Sequence, residues 1–140
     1  MGLFSFGKKS IVDTWKKESV QKLSMPSPAV GKVTGEITEE NTNFLFNIEE
    51  VTAVDGRNLI VTGTVVTGYL CKDDCFYVIS PDGNFTYTGA KAFGIGSDEV
   101  ENIKAGDKCS IFLDPGTNVN AKAGGKIVLL FNEDILDVSI

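Results

Sequence analysis

From Asn43 onward the chain is cut into brief apolar runs by turn-forming residues, and that punctuation leaves no room for a helix of ordinary length. Phe44 to Ile48 leads toward Val51 and Val54, and Asp55-Gly56 then turns the chain into a run from Leu59 to Val66. Cys75 to Ile79 stops at Ser80-Pro81-Asp82-Gly83-Asn84, after which Phe85, Tyr87 and Phe93 continue the pattern. Cys109 to Leu113 stops at Asp114-Pro115-Gly116, and Gly124-Gly125 sets up Ile127 to Phe131. A weaker run over 135–140 suits a sheet edge. Six or seven short strands separated by frequent turns predict an all-β domain, an antiparallel barrel or sandwich.

The 140 residues, 42% of them apolar, suffice for one sizeable core but not for two independent domains and a linker. Residues 43–140 are therefore expected to form the single β domain, preceded by a linker over 24–42 and an arm over 1–23. Pro26 and Pro28 block helix in the linker, whose few apolar anchors leave room for a weak strand from Val30 to Ile37. In the arm, Ser10 can cap a short helix with Ile11, Val12, Trp15 and Leu23 on a loose apolar face, and a helix this short must dock or fray.

Charge divides the chain at the same place. Residues 1–22 hold five lysines against Asp13 and Glu18, a net of +3, which leaves −9 for residues 23–140 of a chain whose total is −6. An acidic body repels phosphate backbones, so any RNA contact would be local. In the arm, lysines together with Phe4, Phe6 and Trp15 suit an anionic membrane surface or an acidic protein groove; the competing reading packs Trp15 and Ile11 back onto the barrel as a cover. The start of the chain lacks the order of a secretory signal, and three cysteines do not make a disulfide framework, so a cytoplasmic protein is expected.

Two blocks carry a resemblance. Gly56-Arg57-Asn58 leads into Ile60-Val61-Thr62-Gly63 and Gly68, with Asp73-Asp74 at a turn; then Thr88-Gly89-Ala90-Lys91-Ala92-Phe93 precedes Val100 to Asp107. In order and spacing these resemble the second domain of translational GTPases such as elongation factor Tu, over about Phe44 to Pro115. The resemblance implies a small antiparallel β-barrel of six or seven strands, with glycines where strands bend or approach closely. It also implies a binding module for a protein or ribosome-associated partner. In that family a glutamate and an arginine of the second block hold the terminal adenosine of aminoacyl-tRNA. Those places are Lys91 and Gly94 here, which cannot make the same contacts, so aminoacyl-tRNA is not an expected partner. Arg57 remains as a family-like polar residue able to pair a phosphate, beside the plainer reading of a solvated turn arginine. Lys91 and Trp15 complete the candidate partner-binding set.

Catalytic chemistry has little to stand on. The chain holds no histidine, which removes the usual general base and neutral metal ligand. No segment has the glycine spacing and Lys-Ser/Thr of a phosphate-binding P-loop, so GTP binding is not expected. Gly94-Ile95-Gly96 begins like a dinucleotide fingerprint but has Glu99 at the third glycine and reads as a loop. Cys71, Cys75 and Cys109 read as buried structural cysteines, and Asp73, Asp74, Asp98, Glu99 and Glu101 as solvated turn carboxylates. No enzyme activity and no cofactor are expected.

Overall fold

A computed structural model describes residues 30–54, 59–113, 121–131 and 133–139. The arm, with its proposed helix and Trp15, lies outside them, as do Arg57 and the turn at Asp114-Pro115-Gly116. The described residues form ten strands: β1 (Val30–Val33), β2 (Thr42–Ala53), β3 (Leu59–Cys71), β4 (Cys75–Ile79), β5 (Asn84–Ile95), β6 (Asp98–Val100), β7 (Asn102–Lys104), β8 (Lys108–Leu113), β9 (Lys126–Leu130) and β10 (Leu136–Ser139). Short 3-10 turns at Glu39–Asn41 and Glu133–Ile135 precede β2 and β10.

Six of these strands close a ring. β2 pairs β3, β3 pairs β8, β8 pairs β5, β5 pairs β4, β4 pairs β9, and β9 returns to β2, every pair antiparallel. The remaining strands extend the ring: β6 folds back on the end of β5, β7 pairs the end of β3, and β1 joins the start of β5 and carries β10 on its other side. The expected barrel is therefore present, but β2, β3 and β5 are long strands of 12 or 13 residues rather than short ones. Glycines that look like breaks in the sequence lie inside them. Gly63 and Gly68 sit within β3, and β2 slips register opposite them, between Leu45 and Phe46 and between Ile48 and Glu50. Such bulges sharpen the local bend and twist that closure requires.

The period of two along each strand sorts side chains to inside and outside. Phe44, Phe46, Phe76, Phe93, Ile111 and Ile127 fill the interior, each at 0% exposure. Residues one position over make two outer clusters. Ile60, Ala92 and Phe112, with Val54, lie across β3, β8 and β5. Leu45, Ile79, Phe85 and Val128 lie on the opposite wall, where Val33, Ile37 and Leu136 pack against them. Burying one such side chain contributes about 1.5–3 kcal/mol before chain entropy is set against it.

That second cluster explains β1. The segment read as linker from composition places Val30–Val33 in the sheet, where the sequence allowed only a weak strand, because Val33 and Ile37 cover an outer barrel wall that would otherwise face water. Gly31 permits the approach, since a Cβ there would stand 2.0 Å from the Asp137 carbonyl oxygen.

Candidate binding surface

Lys91 occupies a bulge. Across β5 and β8, Ala90 faces Leu113 and Ala92 faces Phe112, so Lys91 is the extra residue with no partner in the β8 register. A bulge re-aims the side chain it carries, and Lys91 is half-buried beside the outer cluster of Ala92 and Phe112. Phe112 also faces Ile60, which lies three residues beyond Arg57. With strands about 4.8 Å apart, Ile60 and Ala92 stand about 10 Å from each other. The topology thus brings the start of β3 and the Lys91 bulge to one end of β8. The sequence placed both in separate motifs and could not join them. Gly94, at the family's arginine position, is hemmed in on both sides, facing Glu99 of β6 and Ser110 of β8.

The segment Gly94-Ile95-Gly96, read as a loop, instead ends β5 and opens a tight hairpin: Ile95 faces Asp98, and Gly96 takes the turn at φ +62°. Asp98 and Glu99 are exposed on β6, and Glu101 is exposed at the bend that follows it. Asp74 closes the turn between β3 and β4 by accepting the Cys71 N–H at Oδ2, 2.9 Å away. Of the cysteines, Cys109 is buried, but Cys71 is half-buried and Cys75 is exposed, which corrects the reading of all three as core residues. The reason is strand phase. Cys75 opens β4 one position before Phe76, and Phe76 takes the inward place. A side-chain hydrogen bond with Cys71 holds the exposed Tyr69 phenol above its ordinary range. Among the described residues no three His, Cys, Asp or Glu side chains come together as a metal site.

Polar side chains on the outer wall of β2, β3 and β8 are satisfied locally. Thr64 Oγ1 donates to Glu49 Oε2 at 2.8 Å, Lys108 Nζ stands 3.6 Å from Glu49, and the hydroxyls of Thr62 and Ser110 are 3.0 Å apart. Exposed pairs of this kind contribute about 0–1 kcal/mol each.

The chain matches no known protein-family profile and no curated protein. Among solved structures, translation elongation factor SelB from Methanococcus maripaludis in its apo form superimposes with a TM-score of 0.53 at 22% identity, covering 64% of this chain. The barrel has the domain-2-like fold of translational GTPases. GDP-bound aIF5B from Aeropyrum pernix also matches, with a TM-score of 0.46 and 20% identity over 89% of this chain. The chain spans 20% of the length of each factor. Identity this low establishes the fold, and the domain-2-like barrel can be reused for unrelated tasks. Among the described residues no helix is long and apolar enough to cross a membrane.

Proposed function

We propose that this chain is a non-enzymatic binding module of the translation-factor type, which recognises a protein or ribosome-associated partner and does not hydrolyse GTP. The observation that carries the reading is the convergence at one end of β8. There the Lys91 bulge adjoins the apolar Ile60–Ala92–Phe112 cluster on a barrel whose interior is filled by its own side chains, and Arg57 precedes Ile60 by three residues in the sequence. With no room inside, recognition falls to the outer wall and the arm. A cation beside apolar surface suits a partner offering a carboxylate or phosphate next to an apolar group. Lys91 in place of the family's glutamate argues against aminoacyl-tRNA held in the family's manner. The basic arm over 1–23, with Trp15, supplies a second contact of opposite charge to the body.

Sedimentation of the full chain from cell extract through a sucrose gradient, at low and moderate salt, tests this. Co-migration with ribosomal particles that weakens with salt, and weakens further in Lys91→Glu and Arg57→Ala, is the expected result. Migration in light fractions alone removes the ribosome-associated partner. Flotation with anionic vesicles instead, lost when residues 1–23 are deleted, would make the chain a membrane-surface adaptor whose barrel is a scaffold.

A further inference from the structure

A groove lies on the other side of the molecule from the Lys91 bulge, between the Glu39–Asn41 turn and the outer wall of β2 and β3. It encloses about 570 Å³. Its floor is apolar, made by Ile37, Leu45 and Val66 of the second outer cluster, and Glu39 and Glu40 stand exposed at its rim. Lys126 marks the far end, where its Nζ donates to Asn47 Oδ1 at 3.0 Å.

The rim is held in place. Thr38 and Asn41 cap the turn reciprocally: the Thr38 N–H donates to Asn41 Oδ1 at 2.9 Å, and the Asn41 N–H donates to Thr38 Oγ1 at 3.3 Å. Asn41 Nδ2 also donates to the Glu36 carbonyl at 2.7 Å, and Thr42 Oγ1 donates to the Thr38 carbonyl at 2.9 Å. The two residues between the caps are Glu39 and Glu40, so the turn presents adjacent carboxylates over an apolar floor with little freedom left to lose on binding. The ion pairs of Lys104 with Asp107 and of Lys108 with Glu49 do not involve the rim.

We infer that this groove docks an extended basic peptide segment of a partner protein, with an aliphatic side chain on the Ile37–Leu45–Val66 floor and a lysine or arginine against Glu39 and Glu40. The inference rests on the reading of the chain as a binding module and names the chemistry of one partner. Charge complementarity selects the occupant. The segment from residue 23 onward carries −9, which draws cations toward it, and the two rim carboxylates fix where a cation settles. Lys126, tied to Asn47, disfavours a second cation at the far end and so sets the direction in which the peptide lies.

The test is titration of the full chain with a short fluorescein-labelled peptide alternating lysine and leucine, followed by anisotropy and by amide chemical shifts. Shifts confined to residues 37–40, 45 and 66 are expected. The pair Glu39→Lys/Glu40→Lys should weaken binding about tenfold or more, whereas Glu99→Lys/Glu101→Lys on the distant hairpin, with the same net charge, should weaken it far less. Serine in place of leucine in the peptide should weaken it as well. Both protein variants alter exposed side chains, and an unchanged thermal midpoint verifies that each is folded. Absent binding, equal weakening by the two pairs, or indifference to the leucines overturns the groove as a peptide site. Ribosomal co-migration that survives the Glu39/Glu40 change while peptide binding is lost would separate this groove from the Lys91 surface. Peptide binding without co-migration would keep the groove and remove the ribosome.

Discussion

The main-chain oxygen of Asn47 stands 1.9 Å from the point a Cβ on Gly63 would occupy, and the Phe46 ring stands 3.0 Å from that same point. β2 and β3 approach each other there too closely for any side chain. Glycine inside a strand ordinarily weakens it, and here it allows the approach beside the register slip between Ile48 and Glu50. Gly63→Ala is expected to cost about 1–3 kcal/mol, because backbone rather than a yielding side chain blocks the methyl group. Gly83 is the comparison: its φ of +91° strains an L-residue, but nothing lies within 4 Å of an added Cβ, so Gly83→Ala should cost about 1 kcal/mol. Urea unfolding of both variants checks the order. A Gly63 variant as stable as the Gly83 variant would mean that the close approach relaxes freely.

Phe93 belongs to the second family block and is fully buried among Phe44, Phe76 and Ile111. Phe93→Ala should lose about 3–5 kcal/mol, a large share of the stability a domain of this size commands. Phe131, next after β9 and 67% exposed, is the apolar control, and Phe131→Ala should stay within about 0.5 kcal/mol of the parent. Thermal denaturation distinguishes the two.

The ring of strands was legible because its signals are local: turn residues at Ser80–Asn84 and Gly124-Gly125 bound strands whose alternate residues point inward. Strand length was not, because Gly63 and Gly68 mark bends within β3, and a glycine that bends a strand looks in one dimension like a glycine that ends it. β1 was only half visible for a related reason. Its sequence, Val-Gly-Lys-Val, has few apolar residues, and what holds it is the outer wall of Phe85 and Leu45, distant in sequence. Cys75 shows the cost of one residue of phase error, which turns an expected core thiol outward. Of the candidate contacts, Lys91 could be picked from its motif, but the bulge that makes it distinctive depends on pairing with β8. The Glu39–Glu40 rim left a readable trace in Thr38 and Asn41 at capping spacing, hidden within a segment whose composition suggests a linker.

Asn41 holds that rim in shape through both ends of its amide, bonded to Thr38 and Glu36, and ties it to the barrel through its main-chain oxygen, which accepts the Phe131 N–H at 3.2 Å. Asn41→Ala removes the two side-chain bonds and leaves the main-chain bond in place. The expected loss is about 1–2 kcal/mol, at the modest end for hydrogen bonds that water can partly replace. Faster hydrogen exchange at the Thr38 amide, with the β4 and β9 amides unaffected, is the accompanying signature. Uniform acceleration across the barrel would instead make the turn part of the global folding unit.

Cys109 and Asp82 set opposite pH limits on stability. Burial first, and then the charge of Asp107, pushes the Cys109 thiol up to about 12, from an ordinary value near 9.0. The folded state therefore keeps a proton that the unfolded chain releases above about pH 9, so stability is intact below that value and falls as pH rises toward 12. Asp82 works the other way. Ser80 Oγ and the Asn84 N–H both donate to Asp82 Oδ1, which holds its carboxyl below the usual 3.8, so the turn between β4 and β5 is fully supported above that value and loses support as pH falls through the lowered one. Cys109→Ala should flatten the alkaline limb, and Asp82→Asn the acid one, in urea midpoints measured across pH. Thiol labelling checks the first assignment independently: exposed Cys75 should alkylate in the native protein, while Cys109, 3% exposed and held as the thiol, should react only as the barrel unfolds. Labelling of Cys109 at the rate of Cys75 in native buffer would mean that β8 opens locally, and the alkaline limb would then report that opening rather than the global transition.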